Sequence, residues 1–400
     1  MKRIVLKPKK DIPVRAGHPW IFSEAILQDA YDVQAGECVE VYSSDGTAVG
    51  IGYYNGKNSI RVRIVTLNMN EAIDVAFFCS RFSVLDAWKK KRLPEGTTGY
   101  RLVHAEVDGI PGLIIDRYEN NFVIQFHTAG IDACREFIVQ ALIETFHPSS
   151  IVERQDVEFR RSEGLNVGGS IVHMGDGDIL RKPIMFLESY VKFSADILNG
   201  QKTGFFLDQR NARMSLQKYI QNKRVLNLFS YTGGFSVYAA LGGAAYVMSV
   251  DSSHPALEMA EQHILLNGFD PQDENKFGFL DADIFRFMEE KSLPGGPYDI
   301  IVCDPPALAK SAATLPQAIK AYTALNTACI NRLSTGGILF TSSCSGRLTL
   351  EDFRGILRHA AGRAKKDIRV LEWLGQPIDH GERLAFPEGR YLKTVVLEVL

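Results

Sequence analysis

The sequence predicts an α/β protein with a small β domain, a central α+β domain and a C-terminal doubly wound, mainly parallel sheet. Three patterns carry this prediction. Residues 1–70 alternate apolar with polar side chains between turn signals, and residues 71–188 mix strands with helices. Residues 189–400 repeat a strand, a glycine turn and a helix. We therefore predict three domains, at 1–70, 71–188 and 189–400.

Composition and charge favour a cytoplasmic protein of ordinary globular domains. Of the 400 residues, 46% are hydrophobic and 23% charged. No apolar run reaches the ~18 residues that cross a bilayer, and the run after Lys2 and Arg3 is too short for a signal peptide. The six cysteines form no C-x-x-C pair, so a zinc ribbon is not indicated. We expect neither a membrane nor a metal as partner.

Period-two alternation defines the first domain. Cys38–Tyr42 and Ile60–Val65 alternate, and the Asp-Gly and Asn-Gly pairs at 45–46 and 55–56 are typical of hairpins, so we predict antiparallel strands. Basic residues outnumber acidic ones in the first twenty positions. Among them, Lys9 and Arg15 are our candidates for contacts with RNA phosphates.

The central domain begins with a predicted helix from Asn70, closed by the cations at 89–92, which favour a helix C-terminus. Six apolar residues recur at helical spacing and are expected to line one buried face: Ile73, Phe77, Phe78, Phe82, Leu85 and Trp88. Strands at 112–116 and 122–126 and a helix at 134–146 follow.

The third domain is predicted from its alternating elements. The strands are expected at 224–229, 246–250, 298–303 and 338–342, and the helices at 235–241, 255–267 and 315–333. In such a sheet, ligands bind at the carboxyl ends of the strands.

A glycine-containing turn between the first strand and helix is the first candidate binding site. It consists of Phe229, Ser230, Tyr231, Thr232, Gly233 and Gly234. The spacing is neither G-x-G-x-x-G nor a P-loop. Asp251 ends the next strand, where a carboxylate can accept both hydroxyls of a ribose. Together they predict a nucleoside ligand without phosphates, and Asp283 is expected either to bind the adenine amine or to cap a helix.

Two further strand ends predict the chemistry. Asp304 precedes Pro305-Pro306, which stiffen the loop and direct its carboxyl group to the crevice. There it is a candidate for cofactor binding and for catalysis, because a carboxyl group beside N3 of a pyrimidine can stabilise the charge that develops as the ring is attacked. Cys344 follows the 338–342 strand, and a thiolate there could add to C6 of a pyrimidine and activate C5. The alternative for Cys344 is a small buried hydrophobic residue. Cys303 should point away from the crevice, because successive side chains alternate along a strand.

These residues together resemble the PUA-domain-containing, S-adenosyl-L-methionine-dependent 23S ribosomal RNA cytosine-5 methyltransferases, across essentially the whole chain. The segments that carry the resemblance are 17–22, 108–113, 200–210, 229–235, 304–306, 343–345 and 386–393. The resemblance implies an N-terminal PUA-like RNA-binding β-barrel and a C-terminal Rossmann-like methyltransferase domain. It also implies Cys344 as nucleophile. Within 200–210 we assign Phe206, Asp208 and Arg210 to the cofactor and Lys202 to RNA, with structural packing as the alternative.

The expected partner is 23S rRNA or a large-subunit assembly intermediate, and a homodimer is left open. Two alternatives remain at this point. One is methylation of guanine N7 or an exocyclic amine, although Ala307 replaces the aromatic residue that often stacks on the base in amino-methyltransferases. The other is a non-catalytic assembly factor, which the family departures at Ala212 and Gly381 keep open. His380 is a further candidate, for removal of the C5 proton.

Overall fold

The computed structural model describes residues 1–29, 32–175, 182–309 and 313–400. It divides the chain into two compact units. Unit 1 comprises Met1–Leu207 and Ile378–Gly389, and unit 2 comprises Asp208–Pro377 and Arg390–Leu400. The division into three domains stays a prediction.

A six-stranded sheet opens unit 1, in the order β2-β6-β5-β4-β1-β3. Its strands are β1 (Lys2–Leu6), β2 (Trp20–Phe22), β3 (Ile26–Gln28), β4 (Cys38–Tyr42), β5 (Ala48–Tyr54) and β6 (Ile60–Thr66), with the short helix α1 (Ile12–Arg15) after β1. In β4, Val39 and Val41 are buried and the alternate residues half-buried, as period-two alternation predicts. Gly46, at φ 84°, turns the chain into β5. The prediction of a wholly antiparallel domain was wrong at one pair, because β1 and β4 run parallel.

A second sheet of unit 1 has the order β11-β10-β9-β8-β7. Its strands are β7 (Gly99–His104), β8 (Leu113–Tyr118), β9 (Asn121–Phe126), β10 (Ser150–Glu153) and β11 (Ile171–Met174). The helices of this region are α2 (Val75–Lys90), α3 (Ala129–Ala133), α4 (Arg135–Phe146) and α5 (Val157–Ser162). A hairpin follows, formed by β12 (Ile184–Glu188) and β13 (Val191–Ala195).

Helix α2 corrects one expectation. Asp74 caps it through the Phe77 amide, and Phe77, Phe78 and Phe82 form the buried stripe. Trp88, expected on that stripe, is 38% exposed and lies beneath the Arg92 guanidinium. Lys89, one of the cations at the end of the helix, is 1% exposed, because three acceptors that are distant in sequence surround its ammonium group.

Unit 2 contains a seven-stranded sheet in the order β16-β15-β14-β17-β18-β20-β19. Its strands are β14 (Arg224–Leu228), β15 (Tyr246–Asp251), β16 (Phe277–Asp281), β17 (Ile300–Cys303), β18 (Ile338–Ser343), β19 (Ile368–Leu374) and β20 (Lys393–Val399). Its helices are α6 (Arg210–Leu216), α7 (Gly234–Leu241), α8 (His254–Leu266), α9 (Ile284–Phe287), α10 (Leu315–Arg332) and α11 (Leu350–Ala364).

The strand order of this sheet determines where its site lies. Strands β14 to β18 pair in parallel, and β20 runs antiparallel to both β18 and β19. The chain moves outward from β14 through β15 to β16 and then returns to β17 on the other side of β14. Loops leaving β14 and β17 therefore diverge at their carboxyl ends, and the crevice between them is the usual ligand site of an open α/β sheet.

Short 3-10 turns complete the secondary structure: Ser23–Ala25, Ala105–Asp108, Leu207–Gln209, Ile378–His380 and Pro387–Gly389. Within the described ranges, no helix combines the length and the apolar character needed to cross a bilayer.

Candidate active site

The turn between β14 and α7 has an unusual backbone. Phe229 and Tyr231 adopt left-handed angles, φ 56° and 47°, and Gly233 follows at φ 72° before Gly234 begins α7. Residues other than glycine rarely adopt such angles, and two of them within three residues mark a strained turn of the kind that clusters at active sites. The Ser230 amide donates to the Val250 carbonyl at 3.0 Å, which attaches the turn to β15.

Helix α8 packs against the same turn. A Cβ on Gly233 would lie 2.7 Å from the Cβ of Ala260, so only glycine fits without a shift. Buried His263 donates from Nδ1 to the Thr232 carbonyl at 2.7 Å. The turn is therefore held against α8 by close packing and by a hydrogen bond.

Asp251 lies beside this turn, as the sequence predicts. Its Oδ2 accepts from the Tyr231 amide at 2.7 Å and its Oδ1 from the Ser253 amide at 2.9 Å. Each carboxylate oxygen has a second lone pair. The orientation is thus set by the backbone, while accepting capacity remains for a diol.

The charge and hydrogen-bonding groups of the turn match those of S-adenosylmethionine. Residues 229–234 include no lysine or arginine to neutralise a phosphate. The buried hydroxyls of Ser230 and Thr232 have no hydrogen-bond partner among the described residues. A nucleoside that has no phosphate and carries a cationic, sulfonium-linked amino acid matches a carboxylate, hydroxyls and shaped backbone better than a nucleotide does.

Asp283 performs the structural role that was its alternative. It is exposed, and its Oδ1 accepts from the Arg286 amide at 3.0 Å as the N-cap of α9. Its contact with adenine stays a prediction.

Asp304 follows β17 and is half-buried. Its Oδ1 accepts from Gln209 Nε2 at 2.7 Å. Next to Gln209, Asp208 accepts from the Tyr391 hydroxyl at 2.8 Å. Arg210 is fully buried, so a phosphate at the protein surface does not reach it. The 208–210 segment thus meets the loop after β17, although the sequence analysis did not assign a role to Gln209.

Cys344 lies against the same loop. The thiol is half-buried, and Sγ is 4.0 Å from the carbonyl oxygen of Pro305. Cys303 points into the core as expected and is fully buried, and its contact with Cys329 together with burial raises the pKa of its thiol well above the usual range. Of the two cysteines near Asp304, Cys344 is therefore the accessible one.

The predicted site residues are divided between the two units. Four of them belong to unit 1, and the others, apart from His380, belong to unit 2. The four are Lys9, Arg15, Lys202 and Phe206. Lys202 Nζ lies 4.3 Å from the centroid of the Phe206 ring, and Arg15 pairs with Asp11 at 2.8 Å. These interactions leave the RNA and cofactor assignments as predictions.

His380 also belongs to unit 1. It is 1% exposed, Nδ1 faces Asp379 at 3.4 Å, and its ring lies 5.5 Å from that of His104. Such burial is typical of a structural histidine and disfavours proton removal from an RNA base.

Sequence reasoning missed the residues that support the site from a distance: Gln209, His263, Tyr322 and Lys393. Gln209 and Lys393 lie in segments that carried the family resemblance, so that signal was available. Tyr322 and His263 lie on the buried faces of helices. The apolar periodicity of those faces predicts core packing and gives no sign of a polar role.

Comparison with known proteins agrees with this geometry. The S-adenosylmethionine-dependent methyltransferase family matches residues 175–377, and a PUA-like domain matches residues 4–67. The fold and the site define an S-adenosylmethionine-dependent methyltransferase with an N-terminal PUA-like domain. Ribosomal RNA large subunit methyltransferase I of Aliivibrio fischeri is 39% identical over 398 residues, 99% of each chain, and that of Aeromonas salmonicida 42% over 381 residues, 95% of each. The chain belongs to the ribosomal RNA large subunit methyltransferase I family, which confirms the resemblance.

Solved structures show the same fold. A Streptococcus mutans protein assigned to the SAM-dependent methyltransferases superposes with a TM-score of 0.83 at 23% identity, covering 100% of both chains. SMU.776, crystallised with SAH, superposes with a TM-score of 0.84 at 23% identity and the same coverage.

Proposed function

We propose that this enzyme forms 5-methylcytosine in 23S ribosomal RNA through a covalent adduct between Cys344 and C6 of the base. The observation that carries the proposal is the 4.0 Å approach of Cys344 Sγ to the Pro305 carbonyl, which brings a half-buried thiol to the loop that begins with Asp304. The relatives' common name supplies the ribosomal RNA of the large subunit as substrate. Such a substrate is encountered in the cytosol.

The chemistry requires a nucleophile, because C5 of cytosine does not react readily with an electrophile. The Cys344 thiolate forms a bond to C6, and the electron pair of the C5–C6 double bond moves to C5 and the ring. Bound S-adenosylmethionine would supply an electrophilic methyl group to C5, with S-adenosylhomocysteine as the leaving group. Loss of the C5 proton to a base and cleavage of the Sγ–C6 bond restore the aromatic ring and the thiolate.

Asp304 is assigned to the charge that develops on the ring. Its carboxyl group beside N3 stabilises the adduct by a hydrogen bond. Gln209 Nε2 donates to Oδ1 at 2.7 Å and so helps to fix the orientation of the carboxyl group. A base flipped out of its RNA stack reaches such a recessed group.

The first test identifies the product. Purified enzyme is incubated with methyl-labelled S-adenosylmethionine and unmodified 23S rRNA, and the RNA is digested to nucleosides. We expect label in 5-methylcytidine. Label in a methylated purine would discard the covalent route, and no label with intact cofactor binding would favour a non-catalytic assembly factor.

The second test concerns the nucleophile. Cys344→Ala should lower turnover below about one part in a thousand of wild type, while the Kd for S-adenosylmethionine, measured by calorimetry, stays within about twofold, because the thiol contacts only the base. Cys79→Ala is the matched control, because Cys79 is another half-buried free thiol and should retain wild-type turnover. Appreciable turnover by Cys344→Ala would contradict the covalent mechanism.

The partners beyond RNA stay open. A homodimer stays a prediction without support from the comparisons.

A further inference from the structure

The hydroxyl of Tyr322 is buried among groups that surround Cys344. Tyr322 lies on α10 and is fully buried on a stripe with Ala318, Leu325 and Cys329. Phenylalanine would fill such a stripe without a polar atom, and burying a hydroxyl costs free energy unless it is hydrogen-bonded. The partners of this hydroxyl therefore indicate its role.

Those partners are the two serines on either side of Cys344. Ser343 Oγ donates to the Tyr322 hydroxyl at 3.1 Å, and Ser345 Oγ lies 3.2 Å from the same oxygen. Strand β18 ends at Ser343, and the Ser345 amide donates to Ser343 Oγ at 3.4 Å, so the chain turns at Cys344. With both flanking serines bound to Tyr322, the Cys344 thiol lies 4.0 Å from the Pro305 carbonyl oxygen.

The same network reaches the loop that begins with Asp304. The Ala309 amide donates to Ser345 Oγ at 3.2 Å. Tyr322 burial raises the pKa of its phenol, so the hydroxyl keeps its proton at neutral pH and continues to donate. One hydroxyl on a rigid helix thus connects the segment carrying the nucleophile with the segment carrying the carboxyl group.

Two further contacts hold the ends of this network. The Tyr322 ring packs edge-on against Phe353 of α11, with centroids 6.1 Å apart. Lys393 Nζ donates to the carbonyls of Ser345 and Leu348 at 2.8 and 2.6 Å. Lys393 thereby holds the backbone after Cys344, whereas Tyr322 holds the side chains of the two serines.

We infer that Tyr322 is a positioning residue for the reaction, whose hydroxyl orients Cys344 for attack on C6 through Ser343 and Ser345. The inference rests on the proposed function, since it concerns the same nucleophile. It does not place Tyr322 in contact with RNA or cofactor.

The test measures nucleophilic attack separately from binding. RNA with 5-fluorocytidine at the target position traps the adduct, because fluorine at C5 does not leave as a proton. Wild-type enzyme with S-adenosylmethionine should form a denaturant-resistant complex with this RNA. In Tyr322→Phe, adduct formation should slow by at least about tenfold, because a misoriented nucleophile loses rate rather than affinity. The Kd values for RNA and S-adenosylmethionine should stay within about twofold.

Tyr298→Phe is the matched control. Tyr298 is also buried in unit 2, and its hydroxyl donates to the Pro294 carbonyl near the amino end of β17, the opposite end of the sheet from Cys344. It should form the adduct at the wild-type rate. If Tyr322→Phe does not fold, Ser343→Ala removes the hydrogen bond between Ser343 and Tyr322 and should slow adduct formation in the same way.

Failure of the inference and failure of the proposed function give different results. Wild-type adduct rates in a folded Tyr322→Phe, with Cys344→Ala forming none, would overturn the positioning role and leave the function intact. Absence of an adduct with wild-type enzyme, together with turnover by Cys344→Ala, would overturn the function and the inference with it.

Discussion

Lys393 shows how much a single residue of this site depends on its surroundings. Its side chain is 3% exposed, and its ammonium group donates to two backbone carbonyls of the segment after Cys344. Burial lowers the pKa of Lys393 from its ordinary 10.5 to about 8, although nearby Cys344 opposes the shift. The lysine is thus kept beside Cys344 at a cost in folding free energy.

This cost predicts a pH dependence of stability. The folded pKa lies below the unfolded one, so between about pH 8 and 10.5 the unfolded chain binds more protons. The free energy of unfolding therefore rises with pH in that window. Relative to Lys393→Met, wild type should gain about 2 kcal/mol between pH 7 and 9.5 in urea titrations. Lys320→Met, at an exposed lysine, should show no such difference, and a flat profile for the Lys393 pair would contradict the burial cost.

At the scale of elements, the turn between β14 and α7 depends on its contact with α8. Strand and helix positions around it follow the sequence prediction closely, because strongly apolar parallel strands alternate with amphipathic helices. The last elements of the sheet, α11, β19 and β20, were not assigned from the sequence. Strand β19 is largely half-exposed at the sheet edge, so its residues show no continuous apolar run.

The glycine of this turn allows a matched comparison. Gly233 and Gly268 both have left-handed backbone, at φ 72° and 89°, but a Cβ would meet Ala260 at 2.7 Å only in Gly233. Gly233→Ala should therefore destabilise the protein by about 1–3 kcal/mol more than Gly268→Ala, which carries only the backbone strain. Thermal unfolding measures the difference.

The same pair tests the binding role of the turn. Gly233→Ala should also weaken S-adenosylmethionine binding by at least about tenfold, since a shift of the turn moves the groups that contact the ligand. Equal stabilities and equal cofactor Kd values in the two variants would show that the contact with α8 is unimportant.

At the scale of the whole molecule, contacts between distant parts of the chain determine unit 1. Residues 378–389 belong to it although they lie between β19 and β20 in sequence. Lys89 Nζ donates to the Asp379 carbonyl at 3.0 Å, to the Leu102 carbonyl at 3.1 Å and to Asp108 at 2.5 Å. The Arg101 amide donates to Asp379 Oδ2 at 3.0 Å. One buried cation thus attaches this segment to β7 and the turn after it.

Removing that cation should be costly. Lys89→Met leaves Asp108 without its buried partner and two carbonyls without a donor, so the free energy of unfolding should fall by about 3–5 kcal/mol. Its neighbour Lys90 has a side chain 51% exposed in an ion pair with Asp86, so Lys90→Met should change stability by less than about 1 kcal/mol. Urea unfolding compares the two, and similar values for both would contradict the anchoring role of Lys89.

The sequence by itself determined the class of fold, the cofactor and the residue types of the site. Period-two and helical patterns are local, and the glycine turn, Asp304 and Cys344 each follow a strand whose carboxyl end is readable from its apolar run. Tertiary structure alone decided which groups orient them. Tyr322 of α10 meets Ser343 and Ser345 at the end of β18, and Lys89 meets a carbonyl 290 positions away. Such contacts arise from how elements pack, and no local periodicity encodes them.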